Sequence, residues 1–533
     1  MVEQLGVTLP GTEVLGLSLS RAALEGEWDA VAVPVAPGGD EEGVQPRAGT
    51  ADAAAMYGID LADLAELTGA TGAAGDVVVV PLPKLLAGSS IWSPLPRRLV
   101  LVGVGDSGPA ALRTAGAAMA RAVTGRVLTT VGLEVRRPRG SHDVPGAAAV
   151  VEGALLATAS AFRRKAASPP ARLTSLTFAA GTAAARVTRS VDVGETLARG
   201  TMIARVLAAT PADVATPAWI ADRAVELAAG EGRLTVEVHD ERWLAENGFA
   251  SVIAVGAESP SPPRLVVVTY EPSTAGTGTD AGAGAGRTGD ASTIAVVGKG
   301  ITFDTGGLAL KPRESMVPMK TDMTGAAVAL ATVVTAARLG IGHSVVAVLP
   351  LAENSFGGAA YRPGDVIRTW DGTSVEIGNT DAEGRMVLAD ALAWTADTLR
   401  PDVLVDVATL TGAATSALSR THAALFTPQD DDAAALVLAG EAAGERVWRM
   451  PLVADYAAAL HSEVADVSHV TTDPTMRAGA VTAALFLERF AHGLPWIHLD
   501  IAGPARSPKA RHEVPQGATG FGVRLLVGWL RAR

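Results

Sequence analysis

Acidic and basic side chains with catalytic potential are concentrated in three short stretches of the second half of the chain. Each stretch follows a predicted strand or leads into a predicted helix, and ligand sites in open α/β sheets form outside the carboxyl ends of strands. The stretches supply four carboxylates, two lysines and one arginine: Asp304, Asp322, Asp381, Glu383, Lys299, Lys311 and Arg385. Glycines surround the first of them and allow a close approach of the backbone.

The chemistry of such a set is metal binding. Converging carboxylates repel one another unless cations neutralise them. Oxygen-rich sites suit hard or borderline divalent ions, and two ions about 3.5–4 Å apart can share bridging carboxylates. Asp381 and Glu383 are two residues apart, so in extended backbone both side chains would point the same way. The structural alternative for Asp322 is helix capping, and for Asp381 and Glu383 it is capping together with an ion pair to Arg385.

Lysine usage adds a second indication. Of 44 basic residues only six are lysine, and three of these six lie between positions 299 and 320. Arginine cannot replace a lysine that must lose its proton, whereas chance clustering on a surface is the alternative reading. The chain has no cysteine, no His-Glu-x-x-His pattern and no evident Gly-x-Ser-x-Gly elbow. Thiol chemistry is therefore excluded, and the commonest zinc protease and serine hydrolase patterns are not found.

Length and periodicity predict two α/β domains in the 533 residues. Strands at 76–81, 98–103 and 173–180 alternate with helices such as 109–123, which indicates a mostly parallel sheet in residues 1–187. Residues 188–209 are predicted to form a linker helix. Residues 210–533 are predicted to form a larger α/β domain, with strands near 264–270, 293–298, 344–349 and 402–408.

Composition and charge limit the partners and the compartment. With 48% apolar and 19% charged residues the sequence is that of a globular protein. The most apolar segment, 325–337, is interrupted by Arg338, well short of the roughly 20 residues that a bilayer span needs. A net charge of −12 disfavours nucleic acid and anionic membranes as partners. The first residues lack a secretory signal, so we expect a cytoplasmic protein.

The three stretches, as printed in the sequence, closely resemble the leucyl aminopeptidase (cytosol aminopeptidase) family. The resemblance rests on Val-Gly-Lys299-Gly-Ile-Thr-Phe-Asp304-Thr-Gly-Gly, on Met319-Lys-Thr-Asp322-Met and on Asn379-Thr-Asp381-Ala-Glu383-Gly-Arg385. It continues through 408–413 and 496–503 and covers essentially the whole C-terminal domain. The N-terminal half matches only in layout. The resemblance implies a smaller, macro-like N-terminal α/β domain and a larger C-terminal α/β catalytic domain with a central mixed sheet.

The resemblance also implies a role for each site residue. One divalent ion is expected at Asp304, Asp381 and Glu383, including the main-chain carbonyl of Asp381. The other ion is expected at Lys299, Asp304, Asp322 and Glu383, with Lys299 neutral because adjacent dications depress its pKa. Lys311 is expected to stay charged and to polarise the scissile carbonyl. Arg385 is expected to hold a bicarbonate ion that acts as general base toward a bridging water. Zinc, manganese and cobalt all remain open as the metal.

The implied reaction is removal of N-terminal amino acids from peptides, with leucine and other apolar residues preferred. A substrate pocket is implied at Met319, Asn379, Thr409, Leu410 and Gly412, although core packing is the alternative for Met319 and Leu410. The family assembles as a hexamer. Met386, Thr305 and His469 differ from residues that are frequent in the family, and none occupies a metal-ligand position. A two-metal phosphoesterase, a DNA-binding regulator and a metal-free paralogue remain as alternatives.

Overall fold

The computed structural model describes residues 2–39, 43–82, 95–134, 146–158, 172–272 and 292–533. The chain forms two compact units. One contains Gly6–Arg199 and Lys509–Gln516, and the other contains Met1–Leu5, Gly200–Pro508 and Gly517–Arg533. The chain passes from the first unit to the second within the long helix Ala184–Ala209. The predicted linker, 188–209, lies entirely within this helix.

The N-terminal unit is built on a seven-stranded sheet of order β1-β7-β6-β2-β5-β4, with β3 paired to β2. Neighbours from β1 to β5 in this order are parallel, and β4 and β3 are antiparallel to their partners. The mostly parallel arrangement agrees with the prediction from alternating strands and helices. The strands and helices are β1 Gly11–Leu15, α1 Leu19–Glu25, β2 Ala30–Pro37, β3 Val44–Pro46, α2 Thr50–Tyr57, α3 Leu61–Thr68, β4 Val77–Pro81, β5 Arg98–Gly103, α4 Pro109–Ala122, β6 Gly125–Thr129, α5 Gly146–Thr158, β7 Leu173–Ala179 and α6 Ala184–Ala209.

The C-terminal unit is built on a nine-stranded mixed sheet of order β17-β16-β19-β15-β10-β12-β9-β8, with β11 paired to β12. Smaller sheets are formed by β13-β14-β18 and by β20-β21. The strands and helices are α7 Pro217–Ala229, β8 Leu234–His239, α8 Glu241–Glu246, α9 Ala250–Gly256, β9 Arg264–Tyr270, β10 Thr293–Gly298, β11 Gly300–Asp304, α10 Arg313–Met316, α11 Thr324–Leu339, β12 Ser344–Asn354, β13 Val366–Arg368, β14 Ser374–Glu376, α12 Glu383–Trp394, β15 Val403–Ala408, α13 Gly412–Leu418, β16 Ala423–Phe426, α14 Asp430–Ala443, β17 Val447–Arg449, β18 Val467–Ser468, α15 Gly479–Glu488, β19 Trp496–Asp500, β20 Arg506–Ser507, β21 Gly517–Ala518 and α16 Val523–Ala532.

The predicted α/β class and the mixed central sheet are confirmed. Strands β9 and β10 have the predicted bounds, and β15 begins one residue later than predicted. Strand β12 extends to Asn354, five residues beyond the predicted end. Buried runs of Val, Leu and Ile make these central strands recognisable, because both faces of the sheet are covered.

Helix α11 is the apolar centre of the C-terminal unit. Among the described residues, the helical stretch Arg313–Leu339 is long and apolar enough to cross a membrane by length and composition, but 89% of its most apolar window is buried inside the protein. The helix packs against β10, β12, β15 and α16. It is therefore explained as a core helix, and it holds Asp322 just before its first turn.

Candidate metal centre and active site

The end of the central parallel strands positions the first stretch of predicted site residues. Lys299 lies between β10 and β11, and its backbone N–H donates to Val407 O of β15 at 3.0 Å. Asp304 is the last residue of β11. Asp322 follows a short 3-10 helix, Met319–Thr321, and precedes α11. The side chain of Asp322 does not cap α11, whose N-cap is Met323. The capping alternative for Asp322 is therefore wrong, and its carboxylate is available to the cluster.

A tight turn positions the second pair of carboxylates. Ala382 N donates to Asn379 O at 3.1 Å, which closes a turn over 379–382. Asp381 N donates to the side chain of Asn379 at 2.9 Å. Glu383 is then the first residue of α12. The carboxylates of Asp381 and Glu383 do converge, but the expectation of extended backbone between them is wrong, because the turn and the helix start bring them together.

The two lysines are held between the carboxylates. Lys299 Nζ lies 2.8 Å from Asp322 Oδ2 and 3.0 Å from Glu383 Oε1, and it donates to Thr409 O at 2.9 Å. Lys311 Nζ lies 2.8 Å from Asp304 Oδ2 and also pairs with Asp381 Oδ1. Five of these side chains are nearly or fully buried, and Asp381 is the most exposed at 32%. The structure thus brings all predicted metal-ligating residues and Lys311 into one cluster.

Mutual repulsion and burial perturb the titration of these carboxyl groups. Burial and, next, the charge of the neighbouring Asp304 raise the pKa of Glu383 to about 8. Burial likewise raises the pKa of Asp322 to about 6. Burial lowers the pKa of Lys299, but attraction to Asp322 and the other carboxylates outweighs it, so this pKa lies above its usual value. A neutral Lys299 therefore requires cations that offset the carboxylate charge.

The donor set fits divalent metal ions. One carboxylate oxygen from each of Asp304, Asp381 and Glu383 lies within 4.8 Å of the others, as ligands of a common ion must. Glu383 Oε2 is buried and has no hydrogen-bond partner among the residues that the structure describes. A buried carboxylate oxygen without a donor is costly, and a cation removes that cost. With all four carboxylates ionised, the two lysines leave an excess of two negative charges in the cluster.

Arg385 lies beside this cluster in the second half of the first turn of α12. Its Nη1 donates to His469 O at 2.6 Å, and among the described residues no ion pair joins it to Asp381 or Glu383, so that structural alternative is wrong. Its Nε is buried without a hydrogen-bond partner in the described part of the chain. Burial lowers the pKa of Arg385 to about 10, which leaves it charged at neutral pH. The buried, charged guanidinium therefore offers an N–H group that can donate a hydrogen bond to an anion.

The predicted pocket residues lie at different distances from the metal-ligand cluster. Thr409 contacts it directly, since its Oγ1 donates to Asp322 Oδ1 at 2.8 Å. Met319 O accepts from Asp322 N at 3.1 Å, and Asn379 forms the turn that carries Asp381. Leu410 is partly buried against the core, and its N–H donates to Asp500. Gly412 begins α13 with open space around it. A pocket role for these five residues remains a prediction.

Three buried polar residues that sequence reasoning missed hold the cluster in place. Asn354 Nδ2 donates to Asp304 Oδ1 at 2.8 Å and to Thr380 O at 3.1 Å. Tyr361 OH donates to Thr380 O at 2.9 Å, and Thr380 Oγ1 donates to Gly306 O at 2.7 Å. These bonds fix the loop after β11 against the turn at 379–382. Thr380 lies next to Asp381 in the motif that runs from Asn379 to Arg385, and this position could have indicated its role. Asn354 and Tyr361 lie outside the motifs, so the sequence gives no such indication for them.

A buried cluster of carboxylates and lysines lies at the carboxyl ends of central strands in a mixed α/β sheet. This arrangement is typical of metal-dependent hydrolases. Comparison with known proteins gives the family. Residues 202–527 match the model of the cytosol aminopeptidase family, catalytic domain, and residues 32–165 match its N-terminal domain. The chain belongs to the cytosol aminopeptidase family, and it is a metal-dependent aminopeptidase.

Individual relatives and solved structures agree with this assignment. A probable cytosol aminopeptidase of Geobacter sulfurreducens is 39% identical over 445 residues, which cover 82% of this chain and 85% of the relative. The cytosol aminopeptidase of Rickettsia prowazekii is 40% identical over 341 residues, covering 64% and 65%. The structure of the bottromycin maturation enzyme BotP in complex with Mn has a TM-score of 0.77 at 36% identity, covering 95% of this chain and 99% of that one. A mutant of tomato leucine aminopeptidase has a TM-score of 0.79 at 26% identity, covering 99% of both chains. The predicted family and activity are confirmed.

Proposed function

We propose that this aminopeptidase binds two divalent ions in the cluster. The first is assigned to Asp304, Asp381 and Glu383, and the second to Lys299, Asp322 and the shared carboxylates of Asp304 and Glu383. The convergence of three carboxylate oxygens within 4.8 Å carries this proposal. Zinc, manganese or cobalt satisfies the donor set, because oxygen ligands with one amine suit borderline ions. The complex of BotP with Mn supports manganese as the first ion to test.

When bound, such ions lower the pKa of a coordinated water and polarise the peptide carbonyl. The side chains around them have separate tasks. Lys311 is assigned to stay charged: burial lowers its pKa, but attraction to Asp304 and Glu383 outweighs burial and raises it overall. Its Nζ lies beside Asp304 and Asp381, and 13% of the side chain is exposed. It is therefore placed to stabilise negative charge that develops on a substrate oxygen.

Arg385 is assigned to bind an anion, with bicarbonate as the candidate general base. The buried Nε without a protein partner and the retained charge support this assignment. The bond from Nη1 to His469 O fixes the plane of the guanidinium. An anion bound there adds the base that the cluster otherwise lacks, since its carboxylates are assigned to the metals.

Selection of the N-terminus is assigned to the metal ions. Asp381 is the most exposed carboxylate of the cluster, at 32%, and Asn379 beside it is exposed, so a substrate can approach from this side. A free α-amine has a lone pair that would bind one of the ions, whereas an acylated nitrogen has no such lone pair to offer. Met319 and Leu410 favour an apolar side chain, with a selectivity of roughly 1–3 kcal/mol per methylene. We also infer a cytoplasmic hexamer, which size-exclusion chromatography with light scattering would test for the assembly.

The test is a metal-reconstituted assay on leucine p-nitroanilide and on its N-acetyl analogue, with metal content measured in parallel. We expect two ions per chain and cleavage of the free-amine substrate alone. Asp381→Ala should lose metal and activity together. Equal hydrolysis of both substrates, or full activity of Asp381→Ala at full metal content, would contradict the proposal. Hydrolysis of a phosphodiester in the same assay would favour the phosphoesterase alternative.

A further inference from the structure

His469 is buried directly behind the turn that carries Asp381. It follows β18, whose Ser468 pairs with Glu376 of β14, and its backbone N–H donates to Glu376 O at 3.2 Å. Its ring then contacts Gly378 and Asn379, two and three residues further along the neighbouring segment. Nδ1 lies 3.2 Å from Gly378 N, and Nε2 lies 2.9 Å from Asn379 O. His469 thus contacts Glu376, Gly378 and Asn379, which lead into the turn at 379–382, here called the ligand turn.

Hydrogen-bond accounting assigns the state of this ring. Gly378 N can only donate, so Nδ1 must accept from it. Asn379 O can only accept, so Nε2 must carry the proton. Nδ1 also lies 3.2 Å from Glu376 O, but a ring nitrogen that accepts from the Gly378 N–H carries no proton to donate to that carbonyl. Burial, followed by the nearby charge of Arg385, lowers the pKa of His469 to about 4, in agreement with a neutral ring.

The carbonyl that the ring holds is the one that closes the turn. Asn379 O accepts from Ala382 N at 3.1 Å as well as from His469 Nε2. This turn places Asp381 and delivers Glu383 to the start of α12. The next residue of the turn, Thr380, is held by Asn354 and Tyr361, which both donate to its carbonyl. The ring and these two side chains therefore hold two successive carbonyls of the turn.

The same residue also contacts Arg385. Its carbonyl accepts from Arg385 Nη1 at 2.6 Å, so any shift of residue 469 moves the guanidinium and the ligand turn together. The side chain is not exposed, and it lies outside the set of metal-ligand positions. A packing role alone does not require both ring nitrogens to meet matched partners.

We propose that His469 is a positioning residue, whose neutral ring fixes the turn at 379–382 and the guanidinium of Arg385 in the geometry that binds metal. The inference rests on the proposed two-metal function. Outer hydrogen-bond partners of metal ligands typically contribute about 10- to 100-fold to metal affinity or activity. We expect His469→Ala to weaken Mn²⁺ binding and to lower kcat by such a factor, with a smaller change in KM.

Two conservative variants separate hydrogen bonding from packing. His469→Gln can keep a donor for Asn379 O, and His469→Asn can keep an acceptor for Gly378 N. Both should lie between His469→Ala and the wild type in Mn²⁺ affinity. Leu436→Ala is the control, because Leu436 is buried in α14 and its loss lowers stability away from the site. That control should lower the melting temperature and leave Mn²⁺ affinity unchanged.

The experiment is isothermal titration of the chelator-treated full-length protein with Mn²⁺, beside kcat, KM and melting temperature for each variant. Wild-type protein that binds no Mn²⁺ would refute the proposed function rather than the role of His469. Normal binding by the wild type and by His469→Ala would refute the positioning role. Equal loss of affinity in the Ala, Asn and Gln variants would also refute it, because packing of the ring would then be the cause. If His469→Ala does not fold, wild-type affinity in both amide variants refutes it.

Discussion

Gly384 allows the position of Lys299 to be tested without removing any charged group. A β-carbon at position 384 would lie 2.4 Å from Lys299 Cε and 2.7 Å from its Nζ. Carbon atoms in contact are ordinarily about 3.5–4.0 Å apart. Gly384→Ala therefore requires the end of the lysine to move by roughly 1 Å or more. The atoms that must move belong to a flexible side chain, so the backbone of α12 can stay in place.

Activity should respond to this substitution much more strongly than stability. Alanine is favoured over glycine inside a helix by roughly 0.5–1 kcal/mol, which offsets part of the cost of the ion pairs that the displaced Lys299 loses, so the free energy of unfolding should fall only modestly. The displaced Nζ loses its positions at 2.8 Å from Asp322 and 3.0 Å from Glu383. A misplacement of about 1 Å in a catalytic site can cost on the order of 100-fold in rate. We expect a loss of that size in kcat/KM.

The assay combines thermal unfolding with hydrolysis of leucine p-nitroanilide at saturating Mn²⁺. Gly528→Ala is the matched control, because Gly528 also lies in a helix and an added β-carbon would meet Ala439 at an ordinary 3.8 Å. The control should gain stability and keep full activity. Wild-type activity in Gly384→Ala would show that the exact position of the lysine is not needed. A large loss of stability would show that movement of the Lys299 side chain does not relieve its contact with the new β-carbon at position 384.

Three further predictions concern the metal-ligand cluster. Lys299→Arg should bind less Mn²⁺ per chain by elemental analysis, because arginine cannot lose its proton to become a ligand. Asn354→Ala should weaken Mn²⁺ binding about 10- to 100-fold in a titration, because Asp304 loses the donor that orients it. The folded-state pKa of Glu383, about 8, lies above its ordinary 4.5, so the chelator-treated protein should lose stability as pH rises through that window. Thermal unfolding at pH 5 and pH 8 checks this, and Mn²⁺ should raise the melting temperature more at pH 8.

The sequence was sufficient to predict the central strands and which charged residues lie together at their ends, whereas the metal and pocket roles of these residues stay predictions. The strands are recognisable because they are buried on both faces, and the site because its residue types are unusual at loop positions. The reason for the convergence of Asp381 and Glu383 was wrong, since a turn closed by Asn379 replaces the extended backbone. The contacts of Asn354 and His469 could not be predicted, because they join segments from 26 to 93 residues apart and single polar residues leave no periodic signal.

The energetics of the cluster indicate why it depends on metal. Replacing buried charges by well-packed apolar groups is often neutral or stabilising, so a cluster of this kind is weak evidence for stability. The raised pKa values of Glu383 and Asp322 show that the fold opposes their ionised forms. Ionised ligands are nevertheless what a divalent ion requires, and ligand deprotonation makes metal binding tighter as pH rises. The ionised cluster therefore lowers the stability of the fold when no cation is bound, and bound cations raise it again. The stability of the C-terminal unit is thereby coupled to its ability to catalyse the reaction.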